Sequence, residues 1–222
     1  MSLGRLSPLQ QRILGLMARG TTLPWVLTGG AALGGFYTLH RTTRDLDLTP
    51  RDRRGLGLLP VEVERCLAAA GLDVRAETLE RDHVRIHVRD PSESVLLELI
   101  GNWSPASEEP RSLNVEGATI AVDSPHELLV RKLMALFDRS EPRDLQDVGA
   151  LLDNGGDLDR ALADAATQFT GFSRHGLAQV IRALPIERLA TVVRWTPEQT
   201  AAALTLRGEL LRRLETDLAA ES

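Results

Sequence analysis

Residues 27–50 read LTGGAALGGFYTLHRTTRDLDLTP, and the fold turns on them. The apolar run from Pro24 to Thr28 reads as a buried strand that breaks at Gly29-Gly30. Residues 31–40 carry a short helical pattern, weakened by Gly34-Gly35. Residues 44–50 then alternate with period two, which puts Leu46 and Leu48 on one strand face and Asp45 and Asp47 on the other. At ~3.3 Å of rise per residue, the backbones of the two acids stand about 7 Å apart. Unpaired anions so placed repel each other. A divalent cation relieves that repulsion, and hard oxygen ligands suit magnesium, or manganese in its place. For the tripeptide alone, a solvated sheet face is the simpler reading. The upstream glycines change the balance. A strand that ends in Gly-Gly and opens a helix lets the backbone approach a phosphate and points free N–H groups at it.

Upstream, Ser7-Pro8 has the form of a helix start, with the helix running to Arg19 and stopping at Gly20. Downstream, the loop carrying Arg51, Arg53 and Arg54 is either a solvated turn or a contact for an RNA backbone. Pro60 is expected to open a helix that reaches Ala70. Three strand-like runs follow: LDVRAETLE (72–80), HVRIHV (83–88) and SVLLELI (94–100), the last two joined by the turn RDPSE. Glu98 lies between Leu97 and Leu99, where an acid needs a partner or a ligand; it is the candidate third metal carboxylate. SLNV-EG-ATIAV (112–122) is a hairpin pattern. From Ser124 onward the pattern is helical, opening on Ser124, Pro125 and Glu127. The expected class is α+β: a mixed sheet with flanking helices over residues 1–123, then a helical domain over 124–222.

Composition narrows the function classes. The hydrophobic fraction of 43% and charged fraction of 26% are those of an ordinary globular protein. No apolar run is long enough to span a bilayer, and the start lacks a secretory pattern. The single cysteine, Cys66, excludes an internal disulfide and any multi-cysteine zinc site, so a cytoplasmic location without membrane contact is expected. A net charge of −5 argues against a protein that simply coats nucleic acid; an RNA substrate would need a local basic patch. Trp25, Trp103 and Trp195 are read as core rather than as stacking platforms. His83 and His87 are too far apart on a strand to share a metal, and His126 and His175 are isolated in sequence.

The quoted stretch resembles the Gly-Gly…Arg-x-Thr-x-Asp-x-Asp motif of the AbiEii/AbiGii toxin family of nucleotidyltransferases, which includes the MenT toxins. A second stretch, RKLMALFDRSEPRDLQDV (131–148), is similar to the family's later Lys…Ala…Arg…Arg-Asp-x-x-Asp motif. The resemblance implies a fold of the DNA polymerase β-like nucleotidyltransferase superfamily. It implies that Gly29 and Gly30 hold nucleotide phosphates, that Asp45 and Asp47 ligate metal, that Lys132 contacts the triphosphate, and that Asp144 is a further essential acid. Arg41 and Arg44 flank the threonines before Asp45; one is expected on phosphate and the other on a carboxylate, and Arg41 is placed with the nucleotide-binding residues. The wider superfamily often has serine after the first glycine. Here Gly30 and Ala31 follow, so that hydroxyl is missing.

Lys132 is the chain's only lysine among 26 basic residues, either by accident or as a flexible point charge for phosphates. Arg143 either positions the Asp144 region or forms a surface ion pair. By resemblance the reaction is nucleotide transfer from a nucleoside triphosphate to the 3′ end of a tRNA. It would be neutralised by a cognate antitoxin, often a winged-helix protein in this family, or by a kinase. Two other readings stay open: the same chemistry on a small molecule or protein, and a non-catalytic binding module.

Overall fold

The computed structural model describes residues 5–51, 55–80, 82–101 and 105–218. Arg53, Arg54 and Trp103 lie outside the described residues. The chain divides into two compact units, residues 1–125 and 126–222.

In the first unit, helix α1 (Pro8–Gly20) begins with a reciprocal capping box. The Ser7 hydroxyl accepts from the Gln10 amide, and the Gln10 side chain accepts from the Ser7 amide. Strand β1 (Trp25–Thr28) leads directly into a one-turn helix α2 (Gly29–Ala32), which widens into a π-helical turn over Leu33–Tyr37. The helix is therefore earlier and shorter than its sequence pattern suggests. It starts on Gly29 itself and is over before His40. Gly34 and Gly35 are the reason: a Cβ on Gly34 would lie 2.6 Å from the Arg41 carbonyl, and one on Gly35 would lie 2.7 Å from Leu6. Their absence lets the chain close against the wide turn.

Strand β2 (Asp45–Pro50) follows, then α3 (Gly55–Ala69). Pro60 sits inside α3 rather than at its start. Near the N-terminus of a helix the missing N–H removes a single i→i−4 bond. The buried stripe of Leu59, Val63 and Leu67 more than offsets that loss, at ~1.5–3 kcal/mol for each large apolar side chain. Strands β3 (Asp73–Glu80), β4 (His83–Arg89) and β5 (Ser94–Ile100) form a meander, and β6 (Arg111–Val115) and β7 (Ala118–Val122) a hairpin. The turn before β5 is held by Asp90, whose carboxylate accepts from the amides of Ser92 and Glu93. Glu116 and Gly117 both take positive φ, as a two-residue hairpin turn requires.

The seven strands form one sheet in the order β3-β4-β5-β2-β1-β7-β6. β2 runs antiparallel to β1 and parallel to β5. Leu46, Leu48, Ile86, Leu97 and Leu99 are fully buried on one face, with Ile13, Leu14 and Met17 of α1 and the α3 stripe also in the core. The other face is polar. In register across five strands stand Glu77, Arg85, Glu98, Asp47 and Thr28. A one-residue slip of β2 would exchange the acids for the leucines, so core burial fixes where the carboxylates emerge.

Among the described residues the second unit is all helix: α4 (Pro125–Arg139), α5 (Pro142–Asp153), α6 (Leu158–Gln168), α7 (Arg174–Ala183), α8 (Ile186–Val193) and α9 (Pro197–Leu218). Leu129, Leu133 and Leu136 of α4 and Leu145, Val148 and Leu151 of α5 are buried. Phe137 packs between Phe169 and Phe172, with ring centroids 6.1 and 5.2 Å away. Trp25 is buried in the first unit as expected, whereas Trp195 is only half-buried.

Candidate active site

The first constellation forms where β1, α2 and β2 meet. Gly29 has φ +64°, a left-handed conformation that side-chain-bearing residues rarely adopt. Any Cβ there would overlap Oδ2 of Asp47, so the Asp47 carboxylate lies directly over the glycine backbone. A Cβ on Gly30 would stand 2.9 Å from Nη2 of Arg41 and 3.3 Å from Oγ1 of Thr43. The two glycines thus make room for an anion on one side and a guanidinium on the other. Gly29, Gly30, Arg41 and Asp47, far apart in sequence order, share one small volume.

Two contacts of Thr43 help to place the 41–44 segment. Thr43 Oγ1 accepts from the Asp45 amide at 3.4 Å, and its carbonyl accepts from Gln10 Nε2 at 3.1 Å. Gln10 is fully buried, so the cap of α1 also anchors the approach to β2. Tyr37, at the end of the π-helical turn, donates to the Asp123 carbonyl at 2.9 Å beyond β7. Burial pushes the Tyr37 hydroxyl above its usual range, against a lowering effect from Arg111.

Asp45 opens onto a cleft of about 660 Å³ over the polar faces of β2–β5. Arg44, Arg75, Glu77, His87 and Arg89 line it as well. Among the described residues, none of the three guanidinium groups pairs with a carboxylate. His87 and Glu77 approach each other at 3.7 Å.

Glu98 stands beside Asp47 in the parallel ladder. Its carboxylate, however, turns toward β4: Arg85 donates to Oε1 through Nε at 3.1 Å and Nη2 at 2.9 Å, and His83 Nε2 lies 3.5 Å from the same oxygen. No three Asp, Glu, His or Cys side chains are grouped as a metal cage among the described residues. Asp45 and Asp47 supply hard oxygen donors on one face, a set that fits magnesium.

The second constellation lies within the helical unit. Lys132 is 6% exposed; its ammonium donates to Asp144 Oδ1 at 2.9 Å and meets Asp147 Oδ2 at 2.8 Å. Arg139 grips Asp144 with a two-pronged contact, Nε to Oδ2 at 2.8 Å and Nη2 to Oδ1 at 2.9 Å. Two cations and two anions therefore interlock within the helical unit. Burial pushes the Asp144 carboxyl up, but the hydrogen bonds and charges of Arg139 and Lys132 together outweigh it and hold the group below the usual range. Arg143 forms an exposed pair with Glu141 at 2.5 Å. His126, isolated in sequence, lies 2.6 Å from Asp164.

Thr28, Thr43 and Gln10 were not singled out from the sequence. For Thr28 a signal existed, its place directly before Gly-Gly. The contacts of Thr43 and Gln10 bridge 33 residues and leave none.

The family described as "Nucleotidyl transferase AbiEii toxin, Type IV TA system" matches residues 14–217. The chain belongs to the AbiEii toxin family of nucleotidyltransferases. It is accordingly a nucleotidyltransferase enzyme of the toxin–antitoxin kind, and membership implies a nucleoside triphosphate substrate and an antitoxin partner. No curated protein matches the chain. Among solved structures, JHP933 from Helicobacter pylori is similar in fold: 20% identity, 96% of this chain and 93% of that one covered, TM-score 0.57. A putative nucleotidyltransferase from H. pylori gives 20% identity, 95% and 98% coverage, and TM-score 0.56. At 20% identity these likenesses bear on fold alone, and they agree with the nucleotidyltransferase-like fold expected from the two motifs. No described helix is long and apolar enough to cross a membrane.

Proposed function

We propose that this AbiEii-family enzyme transfers a nucleotide from a nucleoside triphosphate to the 3′ end of tRNA in the cytoplasm, with magnesium held by Asp45 and Asp47. Glu98, now held by Arg85 and His83, would have to turn from them to serve as the third ligand. The contact between the Asp47 carboxylate and the Gly29 backbone carries the reading. It supports the reading because phosphoryl transfer needs a metal-holding carboxylate close to a turn that admits phosphates, and a solvated sheet face does not need that closeness.

The Gly29-Gly30 backbone lets phosphates approach closely, and Arg41 supplies positive charge over Gly30. The acceptor hydroxyl forms the new bond to the α-phosphorus as the bond to the β-phosphate oxygen breaks. Pyrophosphate leaves and the hydroxyl proton passes to water. Magnesium, when bound, offsets the charge of the phosphates. Catalytic power comes from holding the reactants in line and from fixed charge around them. The cleft opening on Asp45 supports a polyanionic acceptor through Arg44, Arg75 and Arg89. The role of Lys132 on the triphosphate would require its ammonium to leave two carboxylates. Its present contacts support a positioning role instead, with Asp144 setting Arg139. Growth arrest through blocked tRNA, relieved by the antitoxin, follows from this chemistry.

Incubation with each α-labelled ribonucleoside triphosphate and total tRNA tests the proposal. Label at tRNA 3′ ends, lost in Asp47→Ala, is the expected result. Transfer to a small molecule or to protein, with tRNA unlabelled, would remove the tRNA claim. Growth arrest undiminished by Asp47→Ala would point to a binding module.

A further inference from the structure

Thr28 is the polar end of an otherwise apolar buried strand. It retains 7% of its surface, and its Oγ1 has no hydrogen-bond partner among the described residues. Buried hydroxyls are normally satisfied, and an orphan calls for an explanation. Threonine here has an ordinary alternative. It occupies the N-cap of α2 with extended backbone, where its oxygen would accept from an amide of the first turn. It makes no such bond. Neither the strand nor the helix uses the hydroxyl, and valine would fill the same space without the penalty.

Its position gives the hydroxyl a use. Thr28 is directly opposite Asp47 in the antiparallel ladder, so the two side chains share the polar sheet face as near neighbours. The next residue is Gly29, over which Asp47 lies. Beyond Gly30 comes Ala31, so the turn itself offers no side-chain hydroxyl. We propose that the Thr28 hydroxyl donates a hydrogen bond to a phosphate oxygen of the nucleoside triphosphate seated on the Gly29-Gly30 turn. This rests on the nucleotide-binding reading of that turn. A hydroxyl supplied from before the first glycine takes the place of one that would otherwise follow it.

Two variants of the full chain decide the matter. Thr28→Val keeps shape and removes the hydroxyl; Thr28→Ser keeps the hydroxyl. The base-independent probe is inorganic tripolyphosphate with magnesium, followed by calorimetry. KM and kcat are then taken for ATP, GTP, CTP and UTP in turn. Thr28→Val should weaken tripolyphosphate binding roughly tenfold to a hundredfold, the range for a hydrogen bond to a charged group. It should raise KM for the transferred nucleotide in the same proportion. Its unfolding midpoint should equal or exceed wild type, since Oγ1 has no bond to lose, and Thr28→Ser should bind as wild type does. Wild-type affinity in Thr28→Val overturns the inference. So does earlier unfolding of Thr28→Val that Thr28→Ser does not share, because the hydroxyl is then structural. In both cases an active wild type leaves the nucleotide reading standing. A wild type that neither binds tripolyphosphate nor transfers any nucleotide removes both.

Discussion

The Lys132 ammonium donates to Asp144 across 2.9 Å inside the helical unit, and a second carboxylate, Asp147, closes on it at 2.8 Å. The chain's only lysine is thus enclosed rather than extended. Removing Lys132 takes one of two cations from buried Asp144 and one cation from buried Asp147, a loss of the kind that costs about 3–5 kcal/mol. Lys132→Ala should lower the unfolding free energy by that amount in a denaturant titration. Loss of activity in Lys132→Ala then says little about phosphate contact by itself. A variant with full stability and no activity would restore the lysine to the triphosphate.

The same cluster sets an acid limit. The folded-state value of Asp144 is lowered, so its contribution is fully present above the unfolded carboxylate value, about 3.9, and is lost as pH falls through the lowered value. Wild-type melting temperature should drop steeply below about pH 4. Asp144→Asn, which cannot titrate there, should start lower at neutral pH and fall less across the same window. Parallel curves for the two proteins would show that other groups govern acid unfolding.

Local patterns were legible and cross-chain pairings were not. Period two alone put Asp45 and Asp47 opposite Leu46 and Leu48, because the core accepts only one register. The Ser7 cap and the Glu116-Gly117 and Asp90 turns depend on a few adjacent residues and read directly. Glu98 pairs with Asp47 across the parallel ladder, yet the hold of Arg85 on it depends on how two strands align, 13 residues apart in sequence. The enclosure of Lys132 depends likewise on a helix pair spanning 12 residues. Pro60 misled for a different reason: burial of neighbouring leucines and valine outweighed the backbone rule. The wide turn at Leu33–Tyr37 had only its glycines to announce it.

Gly29 and Gly30 should respond unequally to alanine. At Gly29 the backbone is left-handed and the new methyl group collides with Asp47 Oδ2, so the carboxylate must move. At Gly30 the methyl group meets the flexible end of Arg41 at 2.9 Å, which can shift. Gly29→Ala should cut kcat by roughly 100-fold or more, since small misplacements at a reacting centre have that effect. It should also cost about 1–2 kcal/mol of stability. Gly30→Ala should chiefly raise KM for the nucleotide. Equal losses in the two variants would argue against a special Gly29–Asp47 contact.

Arg75 and Arg89 provide the test of the cleft as the acceptor's seat. Both are exposed, on β3 and β4, and line the cleft that Asp45 opens onto. Asp73 and Glu77 share its lining, so the cleft is mixed in charge, and only groups that meet phosphates will show in a salt titration. Each phosphate neutralised on a single strand contributes about 0.7 to the slope of log K against log salt. Replacing both arginines by alanine should flatten that slope for a 3′-terminal RNA oligonucleotide by about 1.4. It should raise the KM for acceptor and leave the nucleotide KM and the melting temperature alone, because neither side chain holds the core. An unchanged slope with unchanged acceptor KM would move the acceptor off this face of the sheet.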